Sequence, residues 1–321
     1  MFRANRRFSR FIAAAITAAT LATPAFALET VKVMAPGSPG GGYDQTARVL
    51  GKAMLEAKVA EAVTYENKGG AGGTLGLAQF ANSTKGDQNA LIVVGAIMVA
   101  AVEQNKPPIT MANVTPIAML FTEYNVIAVQ KDSPYKTLDD LLSEFKANPT
   151  SVKWGGGSKG SVDHIGIAEL AGKLNVPVNQ VNYIASGGGG EVVSAVLGGH
   201  ITAITGGYAE LSQYIKSGQL RVLAIGSPER IPALDAPTLK EQGVDMVIGN
   251  WRGVYGAANL TPEQRKELTD AVLAATKTKV WQDNVQVNAW SPSIVTGDDF
   301  AKFVEDEHAR LREMLVKVGL L

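Results

Sequence analysis

From residue 28 onward the apolar residues follow two alternating rhythms: short continuous runs, then segments with apolar positions three and four apart, with glycines at the joints. The run 30–34 predicts a buried strand, and Ala47, Leu50, Met54 and Leu55 then recur at helical spacing. The same reading predicts strands over 62–65, 90–94, 114–120, 124–130, 151–154, 181–184, 201–205 and 221–225. Helices are predicted over 74–82, 138–145, 165–174, 191–197 and 209–216. The apolar stretch 244–248, continuing through 251–255, predicts a return crossing. Thr261, Pro262 and Gln264 then form an N-cap, a first-position proline and a capping box, and 298–317 is a long charged amphipathic helix. Such alternation predicts an α/β protein with mainly parallel sheets. The turn signal Lys131-Asp132-Ser133-Pro134 is the first place to divide the chain.

Four of the strand-to-helix joints are glycine-rich: 35–42, 67–73, 155–160 and 186–190, two on each side of that division. Glycine lets backbone approach a ligand closely, and a helix start presents unpaired N–H groups at the positive end of its dipole. In an open sheet the ligand crevice lies at the carboxyl ends of the strands, where such turns gather. Four of them facing one another would surround a single small anion.

The first 27 residues change the picture of where this happens. Residues 1–10 carry four arginines and no acid, 11–23 are apolar but short for a membrane span, and Ala25-Phe26-Ala27 is a small-x-small cleavage signal. This predicts a secretory signal peptide cleaved after Ala27. Its removal takes four arginines from a chain of 30 basic and 30 acidic residues, leaving 26 against 30. That balance offers nothing to nucleic acid or an anionic membrane. The absence of cysteine excludes disulfides, thiol nucleophiles and thiolate metal sites, and His164, His200 and His308 lack metal-ligand spacing. Neither a metal nor a cofactor is expected.

Pro39-Gly40-Gly41-Gly42-Tyr43-Asp44 with Ala47-Arg48, Glu66-Asn67-Lys68-Gly69-Gly70-Ala71-Gly72-Gly73, Gly157-Ser158 with Asp163-His164, and Ser186-Gly187-Gly188-Gly189-Gly190-Glu191 with Leu197-Gly198-Gly199 stand in that order along the chain. Together they resemble the solute-binding receptors of tripartite tricarboxylate transporters, the Bug proteins, over essentially the whole mature chain. The resemblance implies a two-lobed periplasmic-binding-protein fold of type II, a Venus flytrap whose lobes are each a mainly parallel sheet flanked by helices. It further implies a periplasmic monomer that captures a small carboxylate and delivers it to an inner-membrane permease. On this reading 28–124 and 256–321 form one lobe and 125–255 the other, with hinge crossings near 125–130 and 249–255. The first glycine turn and Asn250-Trp251-Arg252-Gly253-Val254 resemble the tricarboxylate-binding branch, so citrate or another tricarboxylate is the expected ligand, with a dicarboxylate or aromatic carboxylate as the alternative. Lys68-Gly69 where many relatives carry Arg-Pro, and 84–89 where they carry an Ala-Pro-Asp-Gly-Tyr type turn, are departures that leave the ligand open.

A buried carboxylate needs donors at every oxygen, and backbone N–H groups at helix starts supply them. The expected ligand contacts are Ser38, Gly41, Gly42 and Tyr43 from the first lobe, and Ser158, Lys159, Ser161, Ser186 and Gly187 from the second. Asp44 would repel an anion, so it is expected to cap the first helix and fix its loop, reaching the ligand only through water. Lys159 and Arg252 are candidate counter-charges, Arg252 also a candidate for a structural pair with an acid, and His164 a candidate donor. A remote reading remains: Gly156-Gly157-Ser158-Lys159-Gly160 fits the nucleophile elbow of serine hydrolases, with Ser158 as nucleophile. No His-Gly-Gly-Gly oxyanion motif accompanies it, and no enzyme activity is expected.

Overall fold

Strand and helix alternate throughout the computed structural model, which describes residues 28–187 and 189–321. The expected leader and its cleavage site lie outside the described residues. The first units are β1 (Leu28–Ala35), α1 (Gly42–Glu56), β2 (Ala60–Asn67), α2 (Thr74–Ser83), β3 (Ala90–Gly95) and α3 (Ala96–Asn105). A long strand β4 (Thr115–Gln130) leads to α4 (Leu138–Ala147), β5 (Trp154–Gly156), α5 (Val162–Lys173), β6 (Tyr183–Ala185) and α6 (Gly189–Leu197). Then come β7 (Ala203–Gly207), α7 (Tyr208–Lys216), β8 (Leu220–Ile225) and β9 (Gly249–Gly256). The chain closes with α8 (Pro262–Ala275), α9 (Lys279–Val287), β10 (Ser291–Thr296) and α10 (Gly297–Lys317).

The strands pair in the order β2-β1-β3-β9-β4-β7-β5-β6, with β8 and β10 also bonded to β4. The parallel pairs are those joined by a crossover helix: β1 with β2 and β3, and β5 with β6 and β7. Around β4 and β9 the pairing is antiparallel, because these two strands run in opposite directions between the parallel groups, so the sheet is mixed. Along β4, residues 115–124 pair with β9 and residues 125–130 with β7 and β8.

Two strands expected over 114–120 and 124–130 are thus one strand of 16 residues. The intervening polar residues read as a break, yet Glu123 and Asn125 are 2% and 1% exposed. Each has a polar partner inside the protein, which removes the penalty of burying it.

The core explains the continuous apolar runs. All six residues of β3 are buried, and they alternate between two clusters. Leu91 and Val93 join Val31, Val33, Leu50 and Phe121, while Ile92 and Val94 join Leu77, Phe80, Met98 and Phe300. A strand covered on both faces has no polar alternation to show. Each fully buried apolar side chain of this kind contributes about 1.5–3 kcal/mol relative to exposure. The second cluster takes Phe300, Val304, Leu311 and Leu315 from α10, along with Val162 and Ile165 from α5. Around β5 and β7, Ile127, Val129, Trp154 and Leu170 form a third cluster, and Val126, Ile204, Tyr208 and Leu211 a fourth.

Three elements are absent from the sequence reading: α3, α9 and β10. In α3 nearly every side is buried, with Ala96, Met98, Val99, Ala100, Ala101 and Val102 all inside, so no amphipathic stripe marks it.

Candidate functional site

The four glycine turns meet around a cavity of about 140 Å³. Ser38 Oγ of the first turn donates to the Gly187 carbonyl of the fourth at 3.2 Å. A Cβ on Gly72 of the second turn would stand 3.6 Å from Ser158 Oγ of the third. At Gly73 the backbone has φ +98°, open to glycine and unfavourable to other residues, and this bend turns the chain into α2 at the cavity wall.

Three of the four turns are held by an acid. Asp44 Oδ2 accepts the Gly40 N–H at 2.8 Å, and its carboxylate also bonds Arg48 Nε at 2.9 Å and Asn67 Nδ2 at 3.0 Å. Burial pushes its pKa up, but Arg48, the Gly40 amide and Asn67 outweigh this and hold it below the ordinary value. Asp44 therefore fixes the loop, as the sequence suggests, while the N-cap position belongs to Gly41, which has no side chain to cap with. Asp163 plays the matching part in the third turn, accepting the Gly157 N–H at 2.8 Å and Asn125 Nδ2 at 2.6 Å; its burial raises its pKa. In the fourth turn Glu191 Oε2 accepts the Gly187 N–H at 2.8 Å.

Of the sequence-predicted residues, Ser38, Gly41, Gly42, Tyr43, Ser158, Ser186, Gly187 and Arg252 line the cavity. Asp44, Lys159, Ser161 and His164 do not. Ser161 is the N-cap of α5, its Oγ accepting the His164 N–H at 3.4 Å. His164 stacks on Tyr183 with ring centroids 4.1 Å apart, and its Nδ1 accepts the Gly160 N–H at 3.0 Å. Burial, with Lys159 adding, pushes its pKa down to about 4, so the ring is neutral at pH 7 and braces the third turn.

The floor of the cavity is set by strand register. Asn250 of β9 pairs across from Glu123 of β4, and Arg252 across from Phe121, so Glu123, Asn250 and Arg252 share one face of the sheet. Arg252, 2% exposed, donates to Glu123 Oε1 from Nε at 2.9 Å and from Nη2 at 2.7 Å. Its guanidinium also lies 4.6 Å from the centre of the Tyr43 ring. Arg252 Nη1 and Asn250 Oδ1 are buried without a hydrogen-bond partner among the described residues. Arg252 is thus both the structural pair and the cavity cation that the sequence offered as alternatives.

A fifth glycine junction, Gly206-Gly207 before α7, also lines the cavity and escaped the sequence reading. It brings in Glu210, whose Oε1 accepts the Gly42 N–H at 2.9 Å and lies 3.9 Å from Arg252 Nη2. Burial, reinforced by Glu123, pushes the Glu210 carboxyl up to about 7. A glycine pair directly ahead of a helix was the available signal. Glu123 left none, because an acid between two apolar runs reads as a break.

Among the described residues, no hydrogen bond joins Ser158 to a histidine. His308 Nδ1 is instead 2.6 Å from Glu103 Oε1, and His200 sits in an exposed turn.

The fold is that of the α/β periplasmic binding proteins. The periplasmic binding protein BugD superposes with a TM-score of 0.83 over 91% of this chain and 98% of its own, at 22% identity. MatC from Rhodopseudomonas palustris, solved with malate, gives 0.77 over 90% of this chain and 100% of its own, at 22% identity. Residues 46–320 match the family described as tripartite tricarboxylate transporter family receptor, and the chain belongs to that family. Among its relatives, protein BugT of Bordetella pertussis is 26% identical over 314 residues, 96% of this chain and 95% of BugT.

Proposed function

We propose that this receptor works in the periplasm, as a monomer, and hands a small dicarboxylate to the permease of a tripartite tricarboxylate transporter. The observation that carries this reading is the cavity itself, bounded by the glycine turns of four strand-to-helix joints and floored by Arg252. Helix-start amides and one guanidinium are the donors an ionised carboxylate requires. Residues 28–124 with 256–321 and residues 125–255 act as two lobes, with β4 and β9 as the crossings on which they hinge. Ser38, Tyr43, Ser158, Ser186 and Arg252 touch the ligand directly, and Lys159, Ser161 and His164 act from behind the third turn.

Two features favour a dicarboxylate over citrate. A cavity of about 140 Å³ is close to one that holds a benzene-sized molecule, which suits a four- or five-carbon acid. Arg252 already neutralises Glu123, so little positive charge is left for a trianion. The malate found in MatC is an acid of the favoured size and charge. Among the described residues no helix is long and apolar enough to cross a membrane, in keeping with a receptor that meets its permease from outside the bilayer.

Calorimetry and thermal melting of residues 28–321 with malate, succinate, citrate, tricarballylate and benzoate test the reading. A ligand at a hundredfold excess over its Kd adds about 2.7 kcal/mol of stability. Heat and a raised melting temperature with malate or succinate are expected. No response to any acid would overturn the carboxylate reading, and a response to citrate or benzoate alone would overturn the dicarboxylate assignment.

A further inference from the structure

The amide at the first position of α1 should, on general grounds, be a seat for a ligand carboxylate. In this chain it is taken. Glu210 reaches from α7 to accept the Gly42 N–H at 2.9 Å, and the same oxygen faces Arg252 Nη2 at 3.9 Å. The carboxyl group is flanked by two glycines whose missing side chains leave it room. A Cβ on Gly42 would stand 2.7 Å from Glu210 Oε1, and one on Gly189 would stand 2.6 Å from Oε2. Gly42 belongs to the first glycine turn and Gly189 to the fourth, so the protein's own carboxylate is seated where the two turns converge.

Resting on the receptor reading above, we propose that Glu210 is the specificity-determining residue of this cavity: it fills one anion seat from within, so the receptor takes a dicarboxylate and rejects a tricarboxylate. The remaining donors point the same way. Arg252 lines the cavity, and its Nη1 is buried without a hydrogen-bond partner among the described residues, so its charge is not fully spent on Glu123 and Glu210. A third ligand carboxylate would compete with Glu210 for the Gly42 amide and would meet its charge at close range. The other charged or titratable groups around Glu210 are Tyr43 on α1, Glu123 on β4, Asp163 on α5 and Arg252 on β9, of which only Arg252 is a cation. Among the described residues around Glu210, a trianion therefore finds no second cation to compensate it.

The test is calorimetry at pH 8 with succinate and tricarballylate, run on the natural protein and on Glu210→Gln and Glu210→Ala, with melting temperatures to verify folding. The natural protein should bind succinate at least tenfold more tightly than tricarballylate. Glu210→Ala should move that ratio at least tenfold toward tricarballylate. Glu210→Gln, which keeps the shape and loses the charge, should move it part of the way and stands as the informative variant if Glu210→Ala does not fold. An unchanged ratio in folded variants, or a natural protein that prefers tricarballylate, would overturn the assignment while leaving the receptor reading intact. No binding of either acid to any of the three proteins would remove both.

Discussion

At the scale of single residues, the cavity is governed by buried charges that the chain pairs unequally. Arg252 and Glu123 pair at 2.7 Å with side chains 2% and 3% exposed. Removing one partner of such a pair strands the other in a low dielectric, a loss of about 3–5 kcal/mol, whereas replacing both with apolar residues can be close to neutral. Arg252→Met should therefore lower urea-unfolding stability by about that amount, and Arg252→Met with Glu123→Leu should regain most of it. Equal stabilities in the two variants would show that the pair is not what makes Arg252 necessary. Glu210 has the opposite predicament, an acid held mainly by one amide, and its carboxyl is raised by burial to about 7 from an ordinary 4.5. The folded state then holds this proton more firmly than the unfolded state. Its stabilising contribution is complete below pH 4.5 and is lost as pH rises through 7. His164, lowered to about 4 from 6.5, acts with the opposite sign and fades as pH rises past 6.5. The melting temperature of the free protein should accordingly fall between pH 6.5 and 8, and Glu210→Gln should flatten that slope. An equal slope in the variant would place the titrating group elsewhere.

At the scale of elements, three of the four turns repeat one unit: a strand, a glycine turn stapled by a carboxylate, and a helix. Asp44, Asp163 and Glu191 each bind an amide of their own turn, so the turns are rigid before any ligand arrives. Rigid donors lose less entropy on binding. The glycines of the first turn are not equivalent, although the sequence offers no way to rank them. Gly41 has φ −79° and ψ 171°, an extended conformation open to any residue, and a Cβ there meets only the Ser38 carbonyl at 3.3 Å. At Gly42 a Cβ would run into Arg252 and Glu210. Gly41→Ala should keep ligand affinity within about threefold, equivalent to well under 1.4 kcal/mol, while Gly42→Ala should weaken it more than tenfold. Titration heats on the two purified variants decide this, and similar affinities would mean that Gly42 is not at the binding surface.

At the scale of the whole molecule, β4 and β9 are the pieces on which the two sections of sheet depend. β4 changes partners near residue 125, from β9 to β7 and β8, and β9 leads back to the strands of the first section. If the two sections hinge there, as proposed, the φ/ψ change should fall in a few residues where elements meet. Among the described residues, contacts that span the cavity include Ser38 with Gly187, Gly42 with Glu210, and the packing of Val162 and Ile165 against the cluster around Met98. Small-angle scattering should give a larger radius of gyration for the free protein than for the protein saturated with its acid. Identical scattering curves in the two states would remove the hinge.

The sequence by itself determined the succession of strands and helices, the glycine turns and the family, because these are written in local spacing and local residue type. Its rhythm failed where burial is complete: α3 has no polar face to betray it, and β4 is interrupted by polar residues whose partners lie far along the chain. The candidate site divides in the same way. The turns and Arg252 are visible as motifs, whereas Glu123 lies 129 positions from Arg252 and Glu210 168 positions from Gly42. Which charges are neutralised, and which anion seat the protein keeps for itself, are questions of distance in space. Only the tertiary structure decided them, because it alone brings those acids within reach of the first turn and the cavity floor.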